Sequence, residues 1–101
     1  MVVSKTTYKA TYQQAEGVKF AEVPHGLVVY SREDDLHYLN HTAGAAFLLC
    51  AKPMTALDVA RVLAEEFQLE DIPLHEIEKC LSDLVDKKMV VVSLPKRRSP
   101  V

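Results

Sequence analysis

The chain has 101 residues, which is enough for one compact domain and too few for two. Hydrophobic residues make up 49% of the sequence and charged residues 26%, with three glycines, so the composition excludes a fibrous or largely disordered protein. The net charge of −2 gives no overall attraction to a phosphate backbone, and no apolar run approaches the roughly 18 residues that a membrane span needs. We therefore expect a cytoplasmic protein that binds neither nucleic acid nor a membrane.

The first half of the chain predicts a flexible arm followed by a small sheet. Residues 1–16 are mostly polar, and we assign them to an N-terminal arm with little order. VKFAEV (18–23) and LVVYS (27–31) are β-prone runs on either side of the turn PHG, which is typical of a hairpin. The charged connector REDD (32–35) returns the chain into a third strand, LHYL (36–39). These runs predict a three-stranded antiparallel sheet.

Two helices are predicted after this sheet. The side chain of Asn40 can accept from free backbone N–H groups, so it is expected to cap helix one over 41–51. Thr55 and Asp58 have the spacing of a capping box for a second helix, TALDVARVLAEEF. Apolar residues recur at helical spacing in both segments. The expected buried faces are Ala43, Ala46, Phe47 and Cys50 in helix one, and Ala56, Val59, Ala60, Leu63 and Phe67 in helix two.

The remaining sequence predicts a third helix, a closing strand and a tail. Pro73 suits the first turn of helix three, LHEIEKCLSDLVDKK, and the β-prone MVVVSL (89–94) follows it. Residues 95–101 are rich in proline and cations, and we predict a disordered basic tail. The folded domain is expected over 17–94. Its predicted class is α+β and winged-helix-like, with a three-stranded antiparallel sheet followed by a three-helix cluster.

The sequence offers little support for catalysis or metal binding. The four histidines fall on a turn, a strand and two helix starts, and no pair has the spacing of a zinc motif. Cys50 and Cys80 lie in apolar helical contexts without CxxC spacing, as buried structural thiols do. Neither a nucleophile elbow nor a glycine-rich phosphate loop is present. We expect no enzyme activity, no cofactor and no metal site.

A binding role is the remaining possibility, and the sequence allows two kinds. If the third strand lies at a sheet edge, its free N–H and C=O groups can template an added strand from a peptide. The alternative is a winged-helix DNA-binding regulator of transcription, since KKMVVV and PKRR are basic. The acidic residues of helices two and three oppose that alternative, because they would face the DNA phosphates.

The order of these segments resembles that of a known family. A hairpin, a strand that ends in Leu39-Asn40, the small-residue helix HTAGAAFLLC, TALDVARVLAEEF and an amphipathic helix ending in KKMV are similar to the PqqD-like family. Members of this family are called RiPP recognition elements, where RiPP denotes a ribosomally synthesised and post-translationally modified peptide. They are peptide chaperones that bind the leader region of a precursor peptide. The resemblance covers about residues 18 to 92, and the Leu-Asn-x-Thr-Ala step is its most specific part.

The resemblance implies a mechanism for this chain. The leader peptide would add as a fourth strand beside strand three, in the cleft that strand three forms with helix three, and a separate modifying enzyme, often a radical S-adenosylmethionine protein, would then act on it. Main-chain bonds would give affinity and side-chain pockets would give selectivity. The predicted peptide-binding residues are Leu36, His37 and Tyr38 on the strand, with Ile77, Cys80, Leu81, Leu84 and Lys88 on the helix. For Leu81 and Leu84, core packing is an equally good interpretation.

Overall fold

The computed structural model describes residues 10–31 and 35–94, and it has the predicted α+β architecture. Two small antiparallel sheets and three helices make up this part of the chain. The strands are β1 (Thr11–Gln14), β2 (Lys19–Val23), β3 (Gly26–Tyr30), β4 (Leu36–Asn40), β5 (Met54–Thr55) and β6 (Val90–Ser93). The helices are α1 (His41–Leu49), α2 (Ala56–Glu66) and α3 (Leu74–Asp86).

The predicted three-stranded sheet is confirmed. Strands β2, β3 and β4 form an antiparallel meander in which β3 is central. The hairpin between β3 and β4 is closed by a hydrogen bond of 2.9 Å from the Ser31 N–H to the Asp35 carbonyl. Residues 32–34 of the predicted connector lie outside the described part of the chain. Strand three of the sequence prediction is therefore β4.

The second sheet corrects the prediction of a flexible arm over 1–16. Residues Thr11–Gln14 form β1, the central strand between β5 and β6, and Ala10 beside it is buried. The segment TYQQ contains one large apolar residue, Tyr12, so its own sequence gives little sign of a strand. Its order comes from pairing with strands far along the chain. Residues 1–9, and the predicted tail at 95–101, lie outside the described part.

Local capping fixes where the first two helices begin. The Asn40 side-chain oxygen accepts from the Ala43 N–H at 2.8 Å, which confirms the predicted cap of α1. In the same way, the Thr55 hydroxyl accepts from the Asp58 N–H at 3.0 Å at the start of α2. The strand β4 therefore ends where α1 starts, without an intervening loop.

One apolar core joins the first sheet to the helices. The inner residues of β3 and β4 pack on α1, whose Gly44 permits the approach: a Cβ there would lie 3.2 Å from the Cβ of Leu27. Helix α3 completes the core together with α1 and α2. The largest fully buried side chains are Leu27, Val29, Phe47, Cys50, Val59, Ile77, Leu81, Leu84, Met89 and Val90.

Candidate functional site

Strand β4 is an edge strand. It pairs with β3 on one side, and no other strand in residues 10–31 and 35–94 pairs with its second side. An edge strand presents unpaired N–H and C=O groups that can bind another extended chain. The edge runs from Leu36 to Asn40, where α1 begins.

The register shows which backbone groups of β4 face outward. Ser31 and Asp35 form a hydrogen-bonded pair, and such pairs recur at every second position of an antiparallel ladder. His37, opposite Val29, therefore directs its N–H and C=O toward β3. Leu36 and Tyr38 lie between these pairs, so their backbone groups point to the open edge.

The side chains of β4 alternate between the two faces of the sheet. Leu39 is buried and His37 is half-buried, and both lie on the face that packs on the helices. Leu36 and Tyr38 lie on the opposite face and are 61% and 58% exposed. The three predicted strand residues therefore share one edge but not one face.

A groove of about 780 Å³ lies beside β4. One wall is formed by Ser31, which follows β3, and by Asp35 and the start of β4. The other wall is formed by the end of α3 and the start of β6. Its lining is mixed, with apolar valines and several charged side chains. The residues are Ala15, Ser31, Asp35, His37, Val85, Asp86, Lys87, Lys88, Val90 and Val91.

The cations at the end of α3 have different surroundings. Lys87 donates to Asp83, one turn earlier, at 3.1 Å. Lys88, by contrast, lies beyond the helix, with a φ of 65°, in the left-handed region that glycine favours. The Lys88 N–H donates to the Val85 carbonyl, and the Met89 N–H donates to the Leu84 carbonyl. These two bonds form a Schellman motif, and they turn the chain from α3 into β6.

Three predicted helix residues do not line the groove. Ile77, Leu81 and Leu84 are exposed by 1% or less and belong to the core. A side chain so deeply buried offers no surface to a peptide, so these three leave the candidate site. The helical spacing that suggested them is the signature of core packing as well as of a groove.

The two cysteines behave as structural thiols. Burial raises the pKa of the Cys50 thiol to about 11, and the neighbouring Cys80 adds to the effect. Burial also raises the pKa of Cys80, with Asp83 contributing. Both thiols are free and protonated near neutral pH, so neither is activated as a nucleophile. Cys80 is half-buried against the core and does not line the groove.

The structure thus brings together His37 and Lys88 from the predicted set, one from each wall of the groove. Val85 and Val91 were missed by sequence reasoning. Val85 stands beside the buried stripe of α3 and is half-buried, while Val91 is 49% exposed on β6. The β-prone run MVVVSL predicted a strand, but nothing local indicated that this strand would line the groove beside β4.

No three His, Cys, Asp or Glu side chains among residues 10–31 and 35–94 are grouped so as to hold a metal ion. Within the same residues, no helix has the length and apolar character required to cross a membrane. Comparisons with protein-family models, curated proteins and solved structures found no match to this chain.

Proposed function

We propose that this chain is a cytoplasmic peptide-binding module that is not itself an enzyme. It binds the leader region of a ribosomally made precursor peptide and delivers that peptide to a separate modifying enzyme. The observation that supports this function best is the juxtaposition of an open strand edge, β4, with a groove formed by the end of α3 and the start of β6. The leader would lie along β4 as a fourth strand.

Backbone pairing would supply much of the affinity. The N–H and C=O groups of Leu36 and Tyr38 face the open edge, so an added strand can form hydrogen bonds with them without breaking any bond to β3. Each bond contributes about 0.5 to 1.5 kcal/mol net. This mode of recognition depends little on the peptide's sequence.

The groove would supply selectivity. Val85 and Val91 offer apolar surface beside His37, and the exposed Lys88 stands at the end of α3. A peptide side chain that packs on these valines would be apolar, and an acidic side chain at the rim would meet Lys88 if it stays clear of Asp35 and Asp86, which also line the groove. Pairing a cation at the rim with an acidic residue mainly affects selectivity and the association rate.

The resemblance of LHYLNHTAGAAFLLC to the PqqD-like pattern supports a leader peptide as the partner class. DNA binding has weaker support. The exposed residues of α3 include Glu76, Glu78, Asp83 and Asp86, which would repel phosphates if this helix entered a major groove.

Amide hydrogen exchange provides a direct test. Ligands would be selected from an mRNA-display library of random twelve-residue peptides, and the leader encoded by any short open reading frame beside the gene would be tested with them. We expect a bound peptide to slow exchange at the outward amides of Leu36 and Tyr38. The amides of His37 and Leu39, already bonded to β3, serve as internal controls and should change less.

Two outcomes would contradict the proposal. One is that no library or leader peptide binds. The other is that a peptide binds but slows exchange only at sites away from β4. Binding of duplex DNA with a steep salt dependence would support the regulator instead.

A further inference from the structure

The face of the first sheet that points away from the helices is mostly apolar. We call it the outer face, and its apolar side chains are Ala21, Val23, Val28, Tyr30, Leu36 and Tyr38. Its polar side chains are Lys19 on β2, opposite Tyr30, and Asn40 at the end of β4. Tyr30 lies opposite Leu36 and Val28 lies opposite Tyr38, so these side chains form continuous cross-strand pairs. Among its large apolar side chains the two on β4 are the most exposed, at 61% for Leu36 and 58% for Tyr38.

The Tyr38 ring is held in a fixed position on this face. Its hydroxyl donates to the His25 carbonyl at 2.8 Å, across the turn between β2 and β3. The ring also covers Gly26, where a Cβ would lie 2.9 Å from the Tyr38 hydroxyl oxygen. An aromatic ring over a strand glycine compensates for the missing side chain. The ring is therefore preorganised, yet the residue remains 58% exposed at the edge strand.

We infer that a peptide bound at β4 is recognised on both faces of the sheet, and that large apolar side chains at alternate positions of the peptide pack on Leu36 and Tyr38. This inference rests on the proposed function and specifies the peptide class that the site takes. Side chains at one set of alternate peptide positions would enter the groove, and side chains at the other set would pack on the outer face.

The kind of peptide side chain that would lie on the outer face follows from strand geometry. Side chains on neighbouring strands that lie directly opposite one another have Cβ atoms about 4.5 to 5.5 Å apart. A strand added to the edge of β4 would therefore place every second side chain against Leu36 or Tyr38, and these two stand two residues apart. Apolar and aromatic neighbours stabilise such cross-strand pairs, whereas a charged neighbour would be desolvated beside them.

The inference is tested with the double variant Leu36→Thr/Tyr38→Thr, which introduces strand-compatible β-branched residues at both positions and removes the large apolar surface. The control is Tyr30→Thr, on the same face and 47% exposed, but one strand further from the edge and about 9 to 10 Å from an added strand. The probe is a peptide selected on the wild-type protein from the twelve-residue random library, and affinity is measured by calorimetry.

We expect the double variant to bind the selected peptide about tenfold more weakly, while Tyr30→Thr changes affinity by less than about twofold. A second selection on the double variant should lose the apolar preference at one set of alternate positions and keep it at the other. Equal affinity of the double variant and wild type would overturn the inference, as would an unchanged sequence preference. If exchange at the Leu36 and Tyr38 amides still slows on binding in that case, the edge-binding proposal stands and only the outer-face contact fails.

Discussion

Replacing Lys88 by glycine should separate the contribution of this residue to folding from its contribution to binding. Lys88 occupies the position of the Schellman motif that most often holds glycine, with a φ of 65°. A residue with a Cβ in this region is strained by about 1 to 3 kcal/mol relative to its usual conformations. Glycine has no such strain, but it loses more backbone entropy on folding, by about 0.5 to 1 kcal/mol.

The two terms together predict that Lys88→Gly stabilises the fold by about 1 kcal/mol. No ion pair of the Lys88 side chain offsets this gain within residues 10–31 and 35–94, where the salt bridge at the end of α3 joins Lys87 to Asp83. The same change should weaken binding of an acidic peptide, because it removes a cation from the groove. A variant that is more stable yet binds less well would show that the lysine serves the site.

Urea unfolding would measure the first effect, and calorimetric titration with a library-selected acidic peptide at low and high salt would measure the second. Lys88→Glu is the matched control, since it keeps the strain and reverses the charge. Its affinity should fall more than that of the glycine variant at low salt, and the gap should narrow as screening increases. Destabilisation by Lys88→Gly would refute the strain argument, and unchanged affinity of both variants at every salt concentration would remove Lys88 from the site.

Three further predictions concern the strand, its end and the core. Leu36→Pro should weaken peptide binding relative to Leu36→Thr with little loss of stability. His37→Pro should instead lower the free energy of unfolding in urea by about 1 to 3 kcal/mol, because it removes a bond to β3. Equal destabilisation by the two prolines would mean that the inward and outward backbone groups of β4 are assigned wrongly. Asn40→Ala should destabilise the fold by about 0.5 to 2 kcal/mol and leave affinity unchanged at low temperature; a loss of affinity without destabilisation would contradict the capping role. Burial raises the pKa of the Cys50 thiol to about 11 in the native state, against an ordinary value of 9.0 in the unfolded chain. The free energy of unfolding should therefore be at its full value below pH 9 and fall by roughly 2 to 3 kcal/mol by pH 11, because the unfolded chain loses this proton first. Chemical unfolding across this pH range should show a smaller fall in Cys50→Ala, and an equal fall would assign the effect to other groups.

Elements defined by local chemistry were predictable from the sequence. The meander and the starts of α1 and α2 follow from alternation, turn residues and the capping side chains of Asn40 and Thr55, all of which act within a few residues. Strand β1 was not predictable, because its order depends on β5 and β6, whose positions relative to residue 11 no local pattern encodes. Intrinsic strand propensity is weak compared with such tertiary pairing.

The candidate site was predictable only in part, for a related reason. His37 and Lys88 do line one groove, but a helical stripe cannot tell a groove from the core, so Ile77 and Leu84 were included although both are buried. Lys88 was placed on the helix because its spacing continues the stripe. The helix ends at Asp86 instead, and the turn that follows brings Lys88 to the groove.

The junction at Asn40 limits how much peptide the edge can hold. Because Asn40 caps α1, β4 cannot extend further, and its five residues span about 17 Å. Only Leu36 and Tyr38 lie within this span with backbone groups that face outward and do not also begin the helix. Two residues can form about four hydrogen bonds, which is modest for a peptide that must be ordered on binding. Under the proposed function, contacts from the groove and from the outer face would therefore have to supply the selectivity, and both adjoin the same short strand.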